Sequence, residues 1–345
     1  MYFYLGRSSL PKSCKFFSEC KSPAVYQIPH SRLSLCRQHY LKNVEKRVKE
    51  LIEKKHMFHP DRDEKLLVAA SGGKDSQVLL SIIKKLYPVG LDVEALYIEL
   101  GISQENYSQD SGIVARKFCE ELNIPFHQLN VKDTYGFNID DIHQLNAEVE
   151  DRKWKFDKDP MRGECSYCGT LKRYMINKFA FENGFTCVAT GHNLTDETTQ
   201  LMNNFFNMDL NFLAKSGPVA DVHIPKLVPR VKPLFFISEE EIAMYAYFAD
   251  IAHLGTECAY STHVPNIQLK KALKEIEDYR RGNNLSLARR YHKIMQPVIE
   301  KAVHSDKSND KLCSVCGFPT FGKKCKFCKT IAVLTDRFQQ LKIEL

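Results

Sequence analysis

Ala69-Ala70-Ser71-Gly72-Gly73-Lys74-Asp75-Ser76 lies between the apolar run Lys65-Leu66-Leu67-Val68 and the stretch Gln77-Val78-Leu79-Leu80-Ser81-Ile82-Ile83-Lys84-Lys85-Leu86. The first flank reads as a buried strand and the second as an amphipathic helix over 77–86. Gly72 and Gly73 let the backbone turn sharply between them, and the free N–H groups of the helix's first turn point at whatever lies there. Phosphate is the natural occupant of such a turn. The spacing is not the Walker pattern, which needs four residues between its first Gly and Gly-Lys-Ser/Thr.

The 345-residue chain is 43% hydrophobic, enough for one large core with small appendages. No uninterrupted apolar stretch approaches the ~20 residues of a membrane helix. Met1-Tyr2-Phe3-Tyr4-Leu5-Gly6-Arg7 lacks the basic and apolar regions of a signal peptide, so a cytoplasmic location without membrane contact is expected. Twelve cysteines in a chain without an export signal point to metal or redox chemistry rather than a disulfide framework. A net charge of +7 permits a polyanionic partner without demanding one.

Outward from the glycine turn, 93–98, 125–129 and 186–190 read as further strands, with a helix near 109–122 between the first two. Strands separated by helices imply right-handed parallel crossovers and a doubly wound α/β sheet. Ligands bind such sheets at the carboxyl ends of the strands where the strand order switches, so Ser71, the strand end near Ala95, and Gly191 should converge on one crevice.

Cys165-Ser166-Tyr167-Cys168 opens the helix that carries Lys172. Thiolates are favoured there by the helix dipole, and the pair alone reads equally as half a zinc site, a redox pair or cluster ligands. Gly191-His192-Asn193-Leu194-Thr195-Asp196 again joins strand to helix, with Asp196 able either to hold magnesium or to cap the helix. Cys119 and Cys187, inside a helix and a strand, read as packing residues.

Small modules are expected at both ends. Cys14, Cys20, Cys36 and His39 suffice for one tetrahedral zinc, with His30 as the alternative to Cys14. Cys313-x2-Cys316-x8-Cys325-x2-Cys328 reads as a zinc ribbon too small to fold without metal. Its Lys323, Lys324, Lys326 and Lys329 suit a clamp on RNA. The implied domains are an N-terminal finger (1–40), a basic linker helix (41–62), a catalytic core (63–303) and the ribbon (304–345). Trp154, among Arg152, Lys153, Lys155 and Lys158, reads either as a base-stacking loop or as a solvated one.

The Ser71–Ser76 string resembles that of the PP-loop ATPases. With the two terminal modules, Cys165-x2-Cys168, Gly191-His192-Asn193 and Glu257-Cys258-Ala259-Tyr260-Ser261, nearly the whole chain is similar to their TtuA-type and wobble-uridine-type tRNA thiolase branch. That resemblance implies an ATP site lined by Ala69, Ala70, Ser71, Gly72, Gly73, Asp75, Ser76, Ala95, Lys172, Gly191 and Asp196. It implies a 4Fe-4S cluster on Cys165, Cys168 and Cys258, the three thiolates holding three irons and leaving the fourth open. A persulfide on one of the three, with no cluster, is the competing mechanism.

The implied activity is ATP-dependent 2-thiolation of a tRNA uridine, at the T-loop methyluridine or alternatively the wobble uridine. It proceeds by adenylation of O2, with Lys172 and Mg2+ on Asp196 neutralising phosphate charge. Sulfur would come from a small thiocarboxylated ubiquitin-like carrier or from free sulfide, and a homodimer is implied. Thr195 stands where the family often has a second Asp, so metal binding there is expected to be weaker or rearranged. From other classes, a PP-loop ligase or amidotransferase would have no use for three site cysteines. A zinc-dependent RNA-binding protein would have no use for an intact Ser71–Ser76 string.

Overall fold

The computed structural model describes residues 13–151, 163–220, 224–261, 265–303, 311–320 and 322–341. The Trp154 loop and the 304–310 linker lie outside the described residues. A hairpin of β1 (Tyr26–Gln27) and β2 (Ser34–Leu35) leads into helix α1 (Arg37–Lys54). The alternating core follows as β3 (Lys65–Ala69), α2 (Lys74–Leu86), β4 (Asp92–Glu99), α3 (Tyr107–Glu121) and β5 (Phe126–Asn130). After α4 (Val131–Tyr135), α5 (Ile139–Asp151) and α6 (Glu164–Glu182) come β6 (Cys187–Ala189), α7 (Leu194–Phe206) and α8 (Leu210–Ala214). The chain continues through β7 (Val219–Ala220), β8 (Arg230–Val231), α9 (Glu239–Phe248), α10 (Pro265–Tyr279), α11 (Asn283–Arg290) and α12 (Gln296–Val303). It closes on a hairpin of β9 (Lys311–Leu312) with β10 (Pro319–Thr320), then α13 (Lys326–Leu341).

The central sheet runs β5-β4-β3-β6-β8-β7, all parallel except the β7 edge. This is the doubly wound α/β arrangement expected, extended by two strands of two residues each, too short to carry a periodic pattern. From β3 the chain winds outward to β4 and β5, then returns to place β6 on the other side of β3. The switch point therefore lies at the carboxyl end of β3, where the Ser71–Ser76 turn begins.

Alternation along β3 divides the core. Leu66 and Val68 pack with Val78, Leu79 and Ile82 of α2 and with Tyr245 of α9, while Leu67 packs on the opposite face with Leu171 and Met175 of α6. Cys119 and Cys187 are buried, and burial pushes both thiols up to about 12, as packing residues require.

Neither terminal module is a free appendage. α1 starts at Arg37, inside the finger, and buries Tyr40, Val44, Val48, Leu51 and Ile52 in the core. Arg47 pairs with Glu241, which is 1% exposed, and the Tyr40 hydroxyl donates to the Glu241 carbonyl at 2.8 Å. Burial would raise Glu241, but Arg47 outweighs it and holds the carboxyl below the usual range. At the other end, Phe327 of α13 stacks flat on Tyr174 of α6, ring centroids 3.6 Å apart, and Phe338 stacks on Phe137. The ribbon thus completes the core over α6, and a clamp that comes away cleanly is not what the structure shows.

Arg47→Met should cost about 3–5 kcal/mol in chemical denaturation by leaving Glu241 buried and unpaired. Because Glu241 is depressed in the fold, wild type should also lose stability as pH falls below the ordinary glutamate range, and the variant should lose less. Phe327→Ala should cost a comparable ~3–5 kcal/mol, read in the same experiment.

Candidate active site

The glycine turn is held from three sides. Gly72 sits at φ +73°, where a Cβ would fall 2.4 Å from the Ser111 carbonyl oxygen. Its own carbonyl accepts from Leu254 N–H at 2.9 Å. The Ser76 hydroxyl accepts from Ser71 N–H at 3.1 Å and donates to the Gly73 carbonyl at 2.9 Å, locking the turn internally. α2 begins at Lys74, three residues earlier than the apolar periodicity indicates, so Asp75 and Ser76 lie in its first turn.

The second strand-to-helix turn presses on the first. A Cβ on Gly191 would lie 3.0 Å from the Asp75 carbonyl carbon and 3.1 Å from the Ser76 nitrogen. Asn193 caps α7 and its amide also donates to Asp75 Oδ1 at 3.2 Å. Asp196 completes this cap through Oδ2, so its capping reading holds, while Oδ1 faces Lys270 at 3.4 Å. Burial, with the Asp196 and Glu239 carboxylates behind it, pushes Asp75 up, and Lys74 only partly offsets this.

Beside the turn lies a cavity of about 90 Å³ bounded by Ala69, Ala70 and Ser71, the end of β4, the start of α3, and Lys172 of α6. Ala95 does not line it. That side chain faces the α2–α3 core, and Leu96, Tyr97, Ile98 and Leu100 supply the β4 wall instead. Gly72, Gly73, Asp75, Ser76, Gly191 and Asp196 form the adjoining polar mouth rather than the cavity wall.

Cys165, Cys168 and Lys172 are spaced i, i+3, i+7 along α6 and so share one face of it. Cys258 reaches them from the loop before Tyr260, whose carbonyl accepts from Cys165 Sγ at 3.3 Å. Burial, then the neighbouring thiols, pushes Cys165 up and outweighs the helix-dipole lowering expected from sequence. Burial raises Cys258 as well, against local N–H donors. Three half-buried thiols gathered in this way make a donor set suited to a cationic metal centre.

Among the described residues, two groups of metal-type ligands have their donor atoms all within 4.8 Å of one another: Cys14, Cys20, Cys36 with His39, and Cys313, Cys316, Cys325 with Cys328. A tetrahedral zinc with bonds of roughly 2.3 Å sets its sulfurs roughly 3.8 Å apart, and Cys316 and Cys325 stand 3.7 Å apart. In the finger, His39 Nδ1 lies 3.3 Å from Cys14 Sγ, whereas His30 packs beside Gly282. Burial raises Cys313, but backbone N–H groups of Cys316 and Cys325 outweigh it and bring the thiol down to about 6. The Cys165–Cys168–Cys258 trio is not among these tight groups.

Two charged side chains here escaped the sequence reading. Glu239, at the start of α9, contacts Lys74 Nζ at 2.9 Å and Lys270 Nζ of α10 at 2.7 Å. Burial would raise Glu239, but the two lysines hold it at about 2. The Ser238–Glu241 capping pattern marks this helix start, yet only the fold carries it to Lys74.

A glycine turn at the switch point of a doubly wound sheet is the usual place of a nucleotide site, and residues 40–263 match the model of the PP-loop domain family. Among curated proteins, the chain is 36% identical to a tRNA-5-methyluridine(54) 2-sulfurtransferase of Pyrococcus horikoshii, over 92% of each chain. It is 33% identical to the Thermotoga maritima protein of the same name, covering 90% of this chain and 94% of that one. Among solved structures it resembles the U34-tRNA thiolase NcsA from Methanococcus maripaludis with its 4Fe-4S cluster, with TM-score 0.73 and 25% identity over 94% and 97% of the two chains. The chain belongs to the PP-loop family of tRNA 2-sulfurtransferases.

Gly191→Ala should crowd the first turn of α2 and weaken ATP binding about tenfold, read by calorimetric titration. The metal content of both terminal modules should stay at the wild-type level by atomic emission.

Proposed function

We propose that this protein is an ATP-dependent tRNA 2-thiolation enzyme acting on the T-loop methyluridine. One observation carries the reading: Ser71 and Lys172 line one cavity, and Lys172 shares a face of its helix with Cys165 and Cys168, the former bonded to the loop that carries Cys258. A PP-loop ligase needs the turn alone. The choice of the T-loop over the wobble position rests on identities of 36% and 33% to the enzymes named for position 54, against 25% to the U34 thiolase.

In this reading the N–H groups of the Ser71–Ser76 turn and the start of α2 bind the triphosphate. Uridine O2 attacks the α-phosphate and pyrophosphate leaves, while Lys172 steadies negative charge on the phosphoryl oxygens. Asp75 and Asp196 would hold Mg2+, which would neutralise the remaining phosphate charge; Thr195 gives no carboxylate, so these two do it alone. Cys165, Cys168 and Cys258 would hold a 4Fe-4S cluster, as the Methanococcus maripaludis relative has, and when bound it supplies an iron free of protein thiolate to take up sulfur. Sulfur then displaces AMP at C2 of the base.

The finger and the ribbon would each hold one structural Zn2+. The exposed Lys323, Lys324, Lys326 and Lys329 of the ribbon give the tRNA backbone a basic contact. We also assign a thiocarboxylated carrier as sulfur donor, a homodimer as the working form and the cytoplasm as the place of work. No helix among the described residues is long and apolar enough to cross a membrane.

Protein reconstituted with iron and sulfide under anaerobic conditions should show visible cluster absorbance and convert position-54 methyluridine to its 2-thio form, read by nucleoside mass spectrometry. Cys168→Ala should lose both signals, and Cys119→Ala neither. Full thiolation by metal-stripped protein would instead establish the persulfide route, and thiolation confined to position 34 the wobble assignment.

A further inference from the structure

Both lysines at the polar mouth are paired with carboxylates, and the one they share belongs to neither nucleotide turn. Glu239 bridges Lys74 and Lys270, while Lys74 also stands 3.4 Å from Asp75 and Lys270 3.4 Å from Asp196. The five side chains are between 25% and 35% exposed, so a solute can reach them. Lys74 and Asp75 lie in the first turn of α2, Asp196 in that of α7, and Glu239 in that of α9. The Glu239 N–H donates to Thr195 Oγ1 at 3.2 Å, tying α9 to α7. Three helix N-termini and two lysines meet three carboxylates here, and Glu239 is the one carboxylate that both lysines share.

Lys270 also faces Asp196 Oδ1, the oxygen left over from the helix cap. Its ammonium therefore stands where the reading above puts a divalent cation. Binding of Mg2+ with a nucleotide would take Asp196 Oδ1 from Lys270 and offer it phosphate oxygens instead. Resting on the thiolase reading, we infer that Lys270 is a ligand for the nucleotide's phosphates, with Glu239 as the internal anion that holds its place until they arrive. Glu239 would thereby compete with the nucleotide. This extends the site to α10, which follows the Cys258 loop in the chain.

Calorimetric titration of the full-length protein with Mg-ATP, inorganic pyrophosphate and AMP tests this. Lys270→Met should weaken ATP and pyrophosphate about tenfold and leave AMP within about twofold, with Lys270→Arg restoring most of the loss. Glu239→Gln should tighten pyrophosphate. A merely structural Lys270 would weaken all three ligands together or none, and either pattern overturns the inference, as does weaker pyrophosphate binding by Glu239→Gln. If wild type binds Mg-ATP, Asp75→Asn abolishes that binding, and Lys270→Met does not alter it, this inference falls while the thiolase reading stands. A wild type that binds no ATP would overturn both.

Discussion

Everything at the site depends on two backbone turns pressed so close that a methyl group between them would crowd the backbone. Gly191, after β6, rests on the peptide joining Asp75 to Ser76, and Gly72 turns under the Ser111 carbonyl. The two turns are neighbours because β3 and β6 are neighbours, which follows from the reversal of winding at β3. Their approach brings the starts of α2 and α7 together, so that Asn193 can cap one helix and bond the Asp75 carboxylate of the other. Dipoles that would be screened singly then act on one small volume.

α6 is the second organising element, because it serves three ends at once. One face presents Cys165, Cys168 and Lys172 to the crevice, and Leu171 and Met175 pack under the sheet. Tyr174 takes the weight of the ribbon through Phe327. A helix wedged in this way keeps its sulfurs and its lysine in a fixed relation to one another.

Much of this was legible in the sequence, for a local reason. Ser71–Ser76, the Gly191 turn, Cys165-x2-Cys168 and the ribbon cysteines do their work within a few residues of chain, where spacing dictates geometry. The same locality explains the failures. Lys270 is one lysine in an ordinary amphipathic helix, and Glu239 one of three consecutive glutamates; nothing but tertiary packing brings them to Lys74. Ala95, which the family resemblance puts at the ATP site, is fully buried beside its β3 partner Val68, while Tyr97, two residues on along the same face of β4, reaches the cavity. α1, read as a linker, is core, because its charged positions include Arg47, whose partner Glu241 lies far along the chain. Whether the residue boundaries drawn from sequence are also folding boundaries is a separate matter, since both end modules share side chains with the centre.

The stacking of Phe327 and Phe338 on Tyr174 and Phe137 has a bearing on how the protein is made. Chains fold from the N-terminus as they leave the ribosome, and α13 is synthesised long after α6. During that interval the aromatic side of α5 and α6 has no cover, and the thiols of α6 are carried on a helix with one flank bare. The ribbon therefore closes over this helix only after the rest of the core has been made. A nascent chain halted before residue 311 would expose a sticky aromatic face on α5 and α6, an apolar patch that invites aggregation until the ribbon covers it.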